Sequence, residues 1–136
     1  MTHPAHPPLH VLPLAGAAIE YTDRGDGPAM LLLHGGVFGG WFAPLADGPT
    51  LDGFRVIRVI RAGYTAGPAP LGHVTIADHA AHCAALLDTL GIGHADILAH
   101  SSGSVIALQL ALDRSELVDS LMLVEPPLID PLVVRR

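Results

Sequence analysis

Apolar residues fall along this chain in short separated runs whose period changes from one run to the next. Ala29-Met30-Leu31-Leu32-Leu33 is continuous, with none of the alternation of a half-exposed strand. Such a run predicts a strand covered on both faces, as in a parallel sheet. Residues 54–60, Phe-Arg-Val-Ile-Arg-Val-Ile, predict the next strand, although arginines three apart cannot both be comfortable inside a two-faced layer. Between residues 76 and 90 the period becomes helical: Ile76, Ala80, Cys83, Leu87 and Leu90 share a stripe, Thr75 is placed as N-cap, and Gly91 is the stop. Residues 95–99 and 120–124 predict two further buried strands. The stretch 102–112 is apolar nearly all round, with Gln109 the exception, and predicts a helix buried on several sides.

Polar punctuation completes the outline. Residues 11–15 and 18–22 predict two short strands joined around Gly16, an antiparallel opening hairpin. Asp23-Arg24-Gly25-Asp26-Gly27-Pro28 is a strong turn signal. A short helix is predicted around residues 41–46, with Trp41 and Phe42 expected to pack rather than to line a pocket. The order strand, helix, strand over 54–60, 76–90 and 95–99 is that of a parallel crossover.

The chemistry concentrates where the strand at 95–99 meets the helix at 102–112. His100, Ser101, Ser102 and Gly103 form a small-residue bend, with Ala99 two before Ser101 and Gly103 two after it. A serine held at the carboxyl end of a buried strand, with the free N–H groups of a helix behind it, has the geometry of a nucleophile elbow. His100 adjoins Ser101, so its side chain is expected to point away from the serine, into the sheet layer.

Three stretches together carry a resemblance: Leu31-Leu32-Leu33-His34-Gly35-Gly36, the elbow, and Leu121-Met122-Leu123-Val124-Glu125-Pro126-Pro127. From about Val11 onward the chain resembles the amino-terminal half of an α/β-hydrolase. The resemblance implies an α/β fold, a mostly parallel doubly wound sheet ending after the strand that follows the elbow. It also implies a hydrolase acting on a carboxylic ester or similar small-molecule acyl substrate, with Ser101 as nucleophile and the N–H groups of Gly36 and Ser102 as the oxyanion hole. His34 corresponds to a family position that organises the loop. Where the family commonly carries an acidic residue, and a Gly-x-Ser after its Gly-Tyr pair, this chain has Arg61 and Thr65-Ala66-Gly67. Glu125, at the end of the strand beside the elbow, is a geometrically possible acid or equally a strand-end residue with a structural hydrogen bond.

In the family's chain order, serine is followed by acid and then histidine, yet no histidine follows Ser101 here. Loss of that histidine costs on the order of a millionfold in turnover. The 136 residues are therefore expected to be close to inert alone, as a fragment or truncated product. The alternative is a non-catalytic remnant or interaction module that keeps the core. A strand at 120–124 without its further neighbours is an apolar edge, and self-association through it is expected.

Composition narrows the partners. Half the residues are hydrophobic and 15% charged, as in a globular domain, with residues 1–10 expected to be a flexible leader and 11–136 a partial core domain. The formal charge of −6 comes with seven scattered cations, all arginine, which argues against nucleic acid or an anionic membrane as partner. Without a lysine, and without Gly-x-Gly-x-x-Gly spacing in Gly35-Gly36-Val37-Phe38-Gly39-Gly40, a nucleotide-binding loop is disfavoured. His79 and His82, three apart with Cys83 or His73 nearby, are of metal-ligand type, and the leader histidines His3, His6 and His10 are weaker candidates, but histidines beside an apolar stripe are usually just partly exposed. No metal and no cofactor is expected. The single cysteine, Cys83, and the proline-rich start without Lys or Arg favour a cytoplasmic protein, and the longest apolar stretch falls short of the roughly 20 residues of a membrane span.

Overall fold

The computed structural model describes residues 6–128. The first five residues of the expected leader and the last eight of the expected core domain lie outside them. Among the described residues six strands form one sheet: β1 (His10–Leu14), β2 (Ala17–Arg24), β3 (Ala29–Leu33), β4 (Arg55–Ile60), β5 (Ala95–His100) and β6 (Val118–Val124). Their order is β1-β2-β4-β3-β5-β6. The pairs β4–β3, β3–β5 and β5–β6 are parallel, while β1–β2 and β2–β4 are antiparallel. The mostly parallel sheet and the opening hairpin are thus as expected. The elbow strand β5 lies beside β3, which separates it from β4.

Helices α1 (Ala43–Asp47), α2 (Ile76–Thr89) and α3 (Ser102–Asp113) cover the two faces. The unbroken apolar run of β3 has a simple cause. Leu31 and Leu33 point into the larger core with Ile57, Val59, Leu87, Ile97 and Ile106. Met30 and Leu32 point into a second core with Phe42, Ala46 and Val56 on the α1 side. A strand buried on both faces has no position left for a polar side chain.

The two arginines of β4 meet different fates. Arg55 makes a two-pronged contact with Asp23 of β2, Nε to Oδ1 at 3.0 Å and Nη2 to Oδ2 at 2.8 Å. That pair explains why β2 runs on through the turn signal: Asp23 and Arg24 are still in register with Ile57 and Val56. Arg24 in turn donates to the carbonyls of Ala46 and Gly48, closing the end of α1. Arg58 keeps a buried Nε without a hydrogen-bond partner among the described residues. Helix α2 begins with a full capping box, the Thr75 hydroxyl accepting from the Asp78 N–H and the Asp78 carboxylate accepting from the Thr75 N–H. No helix among the described residues is long and apolar enough to cross a membrane. The outer edge of β6 pairs with no strand among the described residues.

Candidate active site

Strand β5 and helix α3 are joined by a single residue, Ser101. Its backbone sits at φ 52°, ψ −123°, a left-handed conformation that costs a non-glycine residue on the order of 1–3 kcal/mol and persists only when the surroundings over-determine it. Here they do. The Ser101 N–H donates to the Val124 carbonyl at 2.9 Å, continuing the β5–β6 ladder, while the Ser101 carbonyl already accepts from the Ser104 N–H at 2.9 Å. The residue belongs to the strand on one side and to the helix on the other. Its Oγ has no hydrogen-bond partner among the described residues, in contrast to the buried Ser104, whose Oγ donates to the Ala99 carbonyl at 3.3 Å.

The tightness of the bend shows at its glycines. A Cβ at Gly103 would stand 2.5 Å from the Leu33 carbonyl oxygen and 2.6 Å from that of His34. A Cβ at Gly35 would be 3.0 Å from Ser101 Cβ and 3.2 Å from His100 Nδ1. The elbow and the His34-Gly35-Gly36 loop are therefore pressed against each other, backbone to backbone. Ser102 opens α3, so its N–H is one of those the helix leaves without an intrahelical partner. Gly36 faces it, with a would-be Cβ 3.4 Å from Ser102 Oγ.

Gly35, Gly36, Val37, Phe38, Trp41, His100 and Ser101 line a pocket of about 250 Å³. Two of these residues depart from expectation. His100 does not point away from Ser101's surroundings; it forms a wall of the same pocket, its ring stacked on Trp41 with centroids 4.4 Å apart and planes 6° from parallel. Strand alternation sends Ile97 and Ala99 to the larger core and Leu98 and His100 to the α1 side. The left-handed turn at Ser101 then breaks that alternation, so that neighbours in sequence share a pocket. Trp41, expected to pack, is half exposed at 51% and lines the pocket, whereas its neighbour Phe42 is buried in the second core.

Glu125, at the end of β6, is the other non-glycine residue with positive φ among the described residues, at 52°. Its carboxylate Oε1 lies 3.1 Å from His100 Nε2. The strand-end hydrogen bond foreseen as one of its two roles is thus formed, and it ties β6 to the pocket wall.

His34, at the end of β3, is 1% exposed and does organise its loop. Its Nε2 accepts the Arg61 N–H at 3.0 Å, which makes Nδ1 the protonated nitrogen that donates to the Gly35 carbonyl at 2.6 Å. Burial, assisted by the charges of Arg61 and Arg58, lowers its pKa to about 4 against the opposing pull of the Gly35 carbonyl. His79, buried on α2 rather than partly exposed, is also lowered to about 4, first by burial and then by Arg61, His82 and His34. Both imidazoles are neutral in the folded protein at neutral pH. Below the ordinary value of 6.5 the unfolded chain takes up these protons before the folded one does. Their contribution to stability, whole above pH 6.5, is therefore lost as pH falls toward about 4. The urea midpoint is expected to drop between pH 7 and pH 4.5, and to drop less in His79→Asn. A midpoint that stays level across this range would contradict the neutral buried state.

The sequence over residues 28–135 matches the alpha/beta hydrolase fold family. The chain belongs to that family. Among similar curated proteins, the 2-hydroxy-6-oxo-6-phenylhexa-2,4-dienoate hydrolase of Comamonas testosteroni is 31% identical, over 83% of this chain and 41% of its own. The dihydrolipoyllysine-residue acetyltransferase component of the acetoin cleaving system of Cupriavidus necator is 33% identical, over 82% of this chain and 30% of its own. The chain thus spans well under half the length of these relatives. Of solved structures, a hydrolase from Pseudomonas aeruginosa superposes with TM-score 0.79 at 26% identity, covering 93% of this chain and 49% of that one. The haloalkane dehalogenase DbeA from Bradyrhizobium elkani gives TM-score 0.73 at 29% identity, covering 88% and 42%. The six strands described above are thus part of an alpha/beta hydrolase sheet, and the chain's structural neighbours are hydrolases.

Proposed function

We propose that Ser101 is the nucleophile of a hydrolase acting on a carboxylic ester or similar acyl substrate. The observation that carries this reading is the left-handed Ser101 itself, between a buried strand and a helix N-terminus, with its Oγ free at the wall of a pocket. Strain of that kind in a non-glycine residue is retained where it aims a reactive group. The Ser101 Oγ attacks the substrate carbonyl carbon, and its proton passes to a base. The carbonyl oxygen, carrying the developing negative charge, is received by the N–H groups of Gly36 and Ser102. The C–O bond to the leaving alcohol then breaks as the alcohol takes the proton, and water releases the acid from the serine by the reverse route. Val37, Phe38 and Trp41 supply an apolar lining.

A fluorophosphonate probe tests the assignment on the intact gene product. The Oγ–P bond forms as fluoride leaves with the serine proton, and mass spectrometry is expected to find the adduct on the peptide that holds Ser101. Complete absence of labelling at Ser101 would remove the serine-nucleophile reading.

A further inference from the structure

Arg61, the residue after β4, is a buried cation without an anion among the described residues. It is 4% exposed, and no carboxylate pairs with it among the described residues. Its guanidinium lies over the Tyr64 ring at 4.8 Å from the centroid, and its Nε is buried without a hydrogen-bond partner. Because a guanidinium does not give up its proton in a protein, the charge is permanent. Removing such a charge from water without pairing it is costly, and a cost of this kind is retained at sites that use the field.

The surroundings of Arg61 show where the field acts. Its backbone N–H is held by His34 Nε2 at 3.0 Å, and its Nη2 donates to Ser102 Oγ at 3.3 Å. Ser102 Oγ in turn lies 3.4 Å from the position a Gly36 Cβ would take, and the Tyr64 hydroxyl 3.6 Å from it. Arg61 is thus joined to Ser102, whose hydroxyl lies beside Gly36. In a water-poor interior a fixed charge acts far more strongly than in solvent, and a preorganised positive field is what a developing oxyanion requires.

We propose that Arg61 is a positioning residue for the oxyanion hole, holding Ser102 through its hydroxyl and placing a permanent positive charge near the Gly36 and Ser102 N–H donors. The proposal rests on Ser101 being the nucleophile. It differs from a purely structural role in sign: a residue kept for packing stabilises the fold, whereas an unpaired buried cation kept for its field does not.

The test compares Arg61→Met, Arg61→Lys and Ser101→Ala in the intact gene product, with p-nitrophenyl acetate as substrate and thermal melting beside it. Arg61→Met is expected to lose about tenfold or more in kcat with KM within about twofold, while its Tm stays level or rises. Arg61→Lys, which keeps the charge, is expected to fall between the two. Unchanged kcat in Arg61→Met overturns the proposal. So does a lowered Tm, a failure to fold, or an Arg61→Lys that is as impaired as Arg61→Met, since each marks Arg61 as a packing residue. Full activity in Ser101→Ala instead removes the reading beneath it, so the two failures are told apart.

Discussion

With Ser101 as the proposed nucleophile, Ser101→Ala in the intact gene product is expected to lower kcat for ester hydrolysis by about a millionfold, the scale seen when the nucleophile of a serine triad is removed, and to leave the fold in place. The second half of that expectation is as specific as the first. Ser101 Oγ has no hydrogen-bond partner among the described residues to lose, and alanine meets the same left-handed backbone as serine. The strain stays and the chemistry goes. Turnover with p-nitrophenyl acetate and a melting curve on the same sample are the measurements. Activity within tenfold of wild type would mean that the bend serves the fold alone. A large fall in Tm would mean that the hydroxyl is structural after all.

Gly103→Ala acts the other way, on the fold before the chemistry. The added Cβ would meet two backbone carbonyl oxygens, at 2.5 and 2.6 Å, and neither belongs to a flexible side chain. Both lie at the end of β3, whose residues Leu31, Leu32 and Leu33 are fully buried. Relief therefore requires β3 or the start of α3 to move as a whole. A loss on the order of 3–5 kcal/mol is expected, at the upper end of single-substitution effects. That approaches the whole stability of a small domain, roughly 5–15 kcal/mol. Urea denaturation, or the soluble yield if the variant fails to accumulate, checks it. A midpoint unchanged from wild type would show that α3 and β3 do not approach so closely.

Much of this architecture was legible because each element carries its signal locally. The apolar run of residues 29–33 matches β3, and Thr75 with Asp78 fixes the start of α2 by hydrogen bonds within four residues of chain. The elbow was legible for the same reason: smallness at Ala99 and Gly103 is a requirement of the bend itself. What escaped depends on elements far apart in sequence. The extension of β2 depends on Arg55, which is 32 residues from Asp23. His100 was misdirected because strand alternation was carried one residue too far, into a bend where positive φ suspends it. The pocket role of Trp41 needed the position of His100, and the burial of Arg61 needed the position of Ser102, 41 residues away.

The pocket is assembled from two materials that answer differently to substitution. On one side stand Gly35, where an added Cβ would crowd Ser101 and His100, and Ser101, held by backbone hydrogen bonds to Val124 of β6 and Ser104 of α3. On the other stand Val37 at 98% exposure, Phe38 at 61% and Trp41 at 51%, which belong to neither core. Replacing any of the second group disturbs little that holds the fold together, since exposed side chains contribute little to stability. Substitution at Val37, Phe38 or Trp41 is therefore expected to reshape the pocket's lining while the bend at Ser101 stays in place.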